Sequence, residues 1–152
     1  MHRRTFIFGL LALYATVSRA AAWALITKEE FEQSLAATQP LSRGIDRTSR
    51  SPDAPTIEVN QPDTTKPIKP PVTIRIRFRP KEGAKIDLTS FRVTYGSLAL
   101  DITNRIIQHA HLSASGLMAN NADVPAGHHR VTLQIADNMQ RVGTRTFEFT
   151  VL

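Results

Sequence analysis

The closing stretch of the chain, from Val124 to Leu152, reads VPAGHHRVTLQIADNMQRVGTRTFEFTVL. Apolar side chains fall at Val131, Leu133 and Ile135, and again at Phe147, Phe149 and Val151. Arg130, Thr132, Gln134, Thr146, Glu148 and Thr150 stand between them. Alternation at period two, repeated across a short connection, specifies two strands that each bury one face. Pro125-Ala126-Gly127 is a turn into the first strand. Asp137-Asn138 opens the connection to the second, because Asp and Asn bond their own backbone and tolerate turn geometry. A terminal pair of this kind requires a sheet to complete it, so the chain is expected to be all-β.

The rest of the regular sequence supplies that sheet. Ile57 and Val59 mark a short first strand, and Gln61 to Pro71 is a proline-punctuated crossover. Val72 to Arg79 is the clearest strand: Ile74, Ile76 and Phe78 face one way, and Thr73, Arg75, Arg77 and Arg79 the other. Phe91 to Tyr95 is a third strand, and Leu98 to Ile102 a fourth, after a turn at Gly96-Ser97. Between Thr103 and Asn121 the periodicity fades, with a short helical turn at Asn104 to His109 and a weak strand at Gly116 to Met118. About seven strands with turn signals roughly every ten residues predict an immunoglobulin-like Greek-key β-sandwich. No segment of crossover-helix length separates the strands, which argues against a parallel α/β sheet.

Residues 1–24 carry a different signal: paired arginines, an apolar run from Phe6 to Val17, and small residues at Ala20, Ala22 and Ala24. The run is shorter than the roughly twenty residues of a membrane span, so the segment reads as a removable signal peptide, cleaved after one of those three alanines. Arg3-Arg4-Thr5-Phe6-Ile7 matches the twin-arginine export pattern, and the general secretory route is the alternative. Residues 25–38 are expected to form a short helix. Thr27 is placed as its cap, Glu30 completes a capping box, and Ile26 with Phe31 forms a hydrophobic staple. The apolar stripe of this helix, Phe31 and Leu35, is expected to dock on the sandwich, with a partner protein as the alternative. Seven of the nine prolines lie between Pro40 and Pro71, and residues 39–54 are read as a linker before a sandwich at 55–152.

Composition narrows the partners. The formal charge is +6, from 19 Lys and Arg against 13 Asp and Glu. Removing Arg3, Arg4 and Arg19 with the leader lowers the excess to three. That is too weak and too dispersed to imply nucleic acid. With no cysteine, disulfides and thiolate chemistry are excluded, and stability must come from the apolar core.

Two sets of side chains are candidates for function. Arg75, Arg77 and Arg79, spaced by two, place guanidiniums roughly 7 Å apart along one strand face, suited to carboxylates or phosphates of an anionic partner. The alternative for this row is a solvated face balanced by acidic neighbours such as Glu148. His109, His111, His128 and His129 are the second set. His109 and His111 would share one side of an extended segment, and only one of the adjacent pair His128 and His129 could join them around a metal ion. Catalytic motifs are missing: there is no nucleophile elbow, no HExxH and no phosphate-cradling glycine loop. A non-enzymatic chain without a cofactor is expected.

Val124-Pro125-Ala126-Gly127 with His129 to Leu133, then Ala136-Asp137-Asn138 and Arg145 to Val151, resembles the closing half of bacterial immunoglobulin-like and cadherin-like modules of exported proteins. The resemblance spans about residues 55–152 and implies a fold more than a chemistry. Asp101, Asp123 and Asp137 are isolated, so the calcium clusters of cadherin-type repeats are not carried over. The outline is also similar to periplasmic copper-binding proteins of the CopC type. Where that family places Asp-Gly-His in its final hairpin, this chain has Asp137-Asn138-Met139. The expected function is an interaction module of the bacterial periplasm or cell surface, or a secreted one. Its partner would be an envelope protein or anionic polymer, with no stable membrane span after leader removal. A small periplasmic metal carrier built on the histidines is the alternative.

Overall fold

The computed structural model describes residues 21–37 and 51–152; the bulk of the leader and most of the linker lie outside them. Eleven elements follow in order: β1 (Trp23–Ala24), α1 (Lys28–Ala36), β2 (Thr56–Gln61), β3 (Val72–Arg79), β4 (Ile86–Tyr95), β5 (Leu100–Asp101), α2 (Thr103–His109), β6 (Ala110–Ser113), β7 (Gly116–Asp123), β8 (Gly127–Asp137) and β9 (Val142–Val151). The strands form a two-sheet β-sandwich. One sheet runs β1-β7-β3-β2, with β6 also paired to β7; the other runs β5-β4-β8-β9.

The alternating sequence produces this architecture directly. Ile74, Ile76 and Phe78 of β3, Leu117 and Ala119 of β7, Phe91, Val93 and Tyr95 of β4, Val131, Leu133 and Ile135 of β8, and Phe147, Phe149 and Val151 of β9 are all buried between the sheets. Each large side chain contributes roughly 1.5–3 kcal/mol on burial, which accounts for a core with no disulfide. The closing hairpin pairs in register from Gly127 opposite Val151 to Ala136 opposite Val142. Its connection is held by Asp137, 1% exposed. That carboxylate accepts bonds from the Met139 and Arg141 amides, both at 3.0 Å, and from Arg141 Nε at 2.7 Å. The Arg141 guanidinium, helped by these amides, holds the Asp137 carboxyl below the usual carboxylate range.

Several boundaries differ from the sequence reading. β4 begins at Ile86, five residues before the expected Phe91, because its pairing with β8 shifts register between Asp87 and Arg92 and breaks the alternation. β5 shrinks to Leu100–Asp101, since residues 96–99 form the turn. Residues 51–54, read as linker, already pack on the sandwich: Ala54 is buried beside the equally buried Pro55, and its amide donates to Ser51 O. β1 and β6 were not expected at all, being too short to show a period.

α1 forms as its cap sequence dictates. The Thr27 hydroxyl accepts from the Glu30 amide at 3.2 Å, and the Glu30 carboxylate accepts from the Thr27 amide at 2.9 Å. The helix docks on the sandwich through Phe31, whose ring lies 5.0 Å from the imidazole of His129 and directly over Gly127. A Cβ on Gly127 would come within 2.4 Å of that ring. The expected partner of Phe31 in the stripe, Leu35, stays 56% exposed, while Ser34 beside it packs against Gly96 and its carbonyl accepts from the Ser97 hydroxyl at 3.2 Å. Arg105 of α2 completes the anchor with a fork of bonds to Glu30, at 2.7 and 2.8 Å, and a third to Leu25 O at 3.0 Å. The Arg105 guanidinium holds the Glu30 carboxyl below its ordinary range. No helix among the described residues is long and apolar enough to cross a membrane.

Candidate functional site

The outer face of the β1-β7-β3-β2 sheet gathers the arginine row. On β3, Arg75, Arg77 and Arg79 are exposed while the residues between them are buried. Register then assigns their neighbours. Arg75 stands opposite Gln61 of β2 and Met118 of β7, and Met118 stands opposite His111 of β6. Arg77 stands between Glu58 and Gly116, with Ser113 beyond. Arg79 is paired with Glu58, not with Glu148, which lies on β9 of the other sheet. Among the described residues, neither Arg75 nor Arg77 has a carboxylate within 4.0 Å.

Gly116 shapes this face. A Cβ there would lie 2.0 Å from Ile76 O, and the residue sits at φ +155, so a side chain at this point would collide with β3. An open depression of about 460 Å³ lies beside Gly116, with Arg75, Arg77, His111, Ser113 and Ser115 among the residues that line it. Met118, 42% exposed, forms part of its rim. Two guanidiniums without acidic partners beside a hydroxyl-lined hollow suit a carboxylate or phosphate group, which guanidinium binds in bidentate fashion.

The histidines do not come together. α2 ends at His109, so His109 and His111 do not share one extended segment: His109 stacks on Trp23, ring centroids 4.6 Å apart, while His111 faces the arginine depression. His128 is exposed on the outer face of the other sheet, 3.2 Å from Glu148. His129 is neither a ligand to share with them nor a loop residue; it is 1% exposed. Its Nε2–H donates to Pro125 O at 2.8 Å, so Nδ1 is the acceptor for the Tyr95 hydroxyl at 2.9 Å. Burial lowers its pKa, and burial together with Glu30 pushes the Tyr95 hydroxyl up to about 12. Among the described residues no group of three or more His, Asp or Glu side chains is arranged to hold a metal ion.

Sequence reasoning named Arg75, Arg77 and Arg79 but missed Gly116, Met118 and the shift of His111 to this face. The signal for His129 was present: it lies in phase with Val131, Leu133 and Ile135. No known family model, curated protein or solved structure matches this chain.

Proposed function

We propose that the chain is an exported, non-enzymatic immunoglobulin-like domain that serves as an interaction module in the periplasm or at the cell surface, binding an anionic envelope partner through Arg75 and Arg77. The strand orders β2-β3-β7-β6 and β4-β8-β9 support the immunoglobulin-like reading, since they follow the ABED and CFG orders of such sandwiches, with β1 and β5 as additional short edge strands. Export rests on the leader sequence of residues 1–24.

The observation that carries the function is the contrast within one row. Arg79 is satisfied by Glu58, whereas Arg75 and Arg77 flank the depression over Gly116 with no acidic partner among the described residues. Guanidiniums in water are ordinary surface groups. Two of them aligned beside a concave hollow that Ser113 and Ser115 also line make a receptor for a carboxylate or phosphate.

The test is fluorescence anisotropy with two labelled probes, polyglutamate for carboxylates and polyphosphate for phosphates, at two ionic strengths. Arg75→Gln with Arg77→Gln should weaken binding at least about tenfold and flatten its salt dependence, while Arg79→Gln should have little effect. Equal binding by the double variant disposes of the site.

A further inference from the structure

We infer that the mature chain keeps Trp23 and Ala24, the leader being removed at the Ala22–Trp23 bond or at Ala20–Ala21, and not after Ala24. This rests on the exported reading above. The sequence alone allows all three bonds, because each follows an alanine with a small residue two positions before it.

The structure distinguishes them. Trp23 and Ala24 form β1, parallel to β7, with Trp23 opposite Ala122 and Ala24 opposite Asp123. The Trp23 indole N–H donates to Asn120 O at 2.9 Å, and the ring stacks on His109 with 12° between planes. The next amide, Leu25 N–H, donates to Asp123 O at 2.9 Å. β6 covers the same edge of β7 from Gly116 to Ala119, so β1 and β6 lie end to end along it.

Cleavage after Ala24 would undo this arrangement at three points. It would turn Leu25 N into an ammonium on a residue only 3% exposed, a poor place for a charge. The indole stack and its hydrogen bond would go. The β7 edge at Ala122 and Asp123 would be left unpaired, an invitation to edge-to-edge association. Ala21 and Ala22, in contrast, are exposed, so an amino terminus at Ala21 or Trp23 stays in water. Once β1 is in the sheet, the Ala24–Leu25 bond is also withheld from a peptidase that reads an extended chain. A domain carried folded by a twin-arginine route therefore offers only the upstream bonds.

The experiment is the intact mass and N-terminal sequence of the protein recovered from the envelope of an expressing bacterium. Because Trp23 is the only tryptophan, indole fluorescence gives an independent reading. A start at Ala21 or Trp23 with indole emission is expected. A start at Leu25 without it overturns the inference and leaves export standing, whereas an unprocessed start at Met1 overturns leader removal and the inference with it. A chain beginning at Leu25 should melt at least about 5 °C below one beginning at Trp23; identical melting of two monomers would show that β1 carries no structural weight.

Discussion

The two outer faces of the sandwich are made from the same residue types and differ in how their charges are matched. On the β5-β4-β8-β9 sheet, Arg130 Nε lies 2.9 Å and His128 Nε2 3.2 Å from the one carboxylate of Glu148. The Thr132 and Thr146 hydroxyls bond across the strands at 2.9 Å. Arg92 lies near enough to Asp101 to help lower its carboxyl pKa, after the larger effect of the Thr103 hydrogen bonds. That face closes on itself. On the β1-β7-β3-β2 sheet, β7 places Gly116 and Met118 opposite the guanidiniums of β3, so cation meets hollow and thioether where the other sheet puts acid. A row of charges becomes informative only when its cross-strand neighbours are known.

The largest expected effect lies beneath both faces. Ile76, between Arg75 and Arg77 but turned inward, and Phe147, its counterpart on the other sheet, are 6% and 8% exposed. Ile76→Asp or Phe147→Asp, each burying a charge without a partner, should abolish cooperative thermal unfolding followed by circular dichroism. A sharp transition in either variant would mean that inner and outer faces have been exchanged.

Next in size is Gly116→Val. Its Cβ meets the Ile76 carbonyl, so it should cost about 2–4 kcal/mol in urea unfolding. A variant as stable as the parent would remove the steric argument for glycine beside Arg77.

Arg105→Gln should cost about 1–3 kcal/mol by leaving Glu30 without its fork. Acid should mimic part of this loss. The Glu30 carboxyl is held below its usual value, so its contribution is complete above about pH 4.3 and fades as pH falls through the folded value. His129 adds an earlier step of the same sign. Its folded pKa is lowered by burial, so stability begins to fall below about pH 6.5, as the unfolded chain takes up the proton first. His129→Gln should flatten denaturant midpoints between pH 7 and 5; an unchanged slope would assign that step to another group.

The smallest effects sharpen the contrast itself. Arg130→Gln breaks an ion pair whose side chains are 58% and 44% exposed, and should cost below about 1 kcal/mol without touching anion binding. Arg75→Gln with Arg77→Gln should leave stability within about 0.5 kcal/mol while weakening binding. If the two variants exchange these behaviours, the recognition face is the other sheet.

Much of this fold is written in local alternation. β3, β8 and β9 were legible because a half-buried strand must repeat at period two, and α1 because Thr27 and Glu30 satisfy each other's amides in any context. β1 and β6 were not, since Trp23–Ala24 and Ala110–Ser113 are shorter than the pattern that would reveal them and exist only because β7 offers an edge. The arginine row was legible as a row but not as a site: that Glu58 engages Arg79, and that Gly116 lies beside Arg77, are facts of register between distant segments. The histidines failed for a related reason. The two-residue spacing of His109 and His111 suggested a shared side, which the end of α2 at His109 removes, while the opposite directions of His128 and His129 followed from their adjacency on β8.

The most direct test of the recognition face is a two-dimensional amide NMR titration of the labelled protein with polyglutamate and, separately, polyphosphate. The expected result is shift changes centred on Arg75, Arg77, His111 and Gly116 with either probe, fading as salt is raised, and silence at His128, Arg130 and Glu148. Changes centred instead on the β8–β9 face, or none with either probe at low salt, would contradict the account.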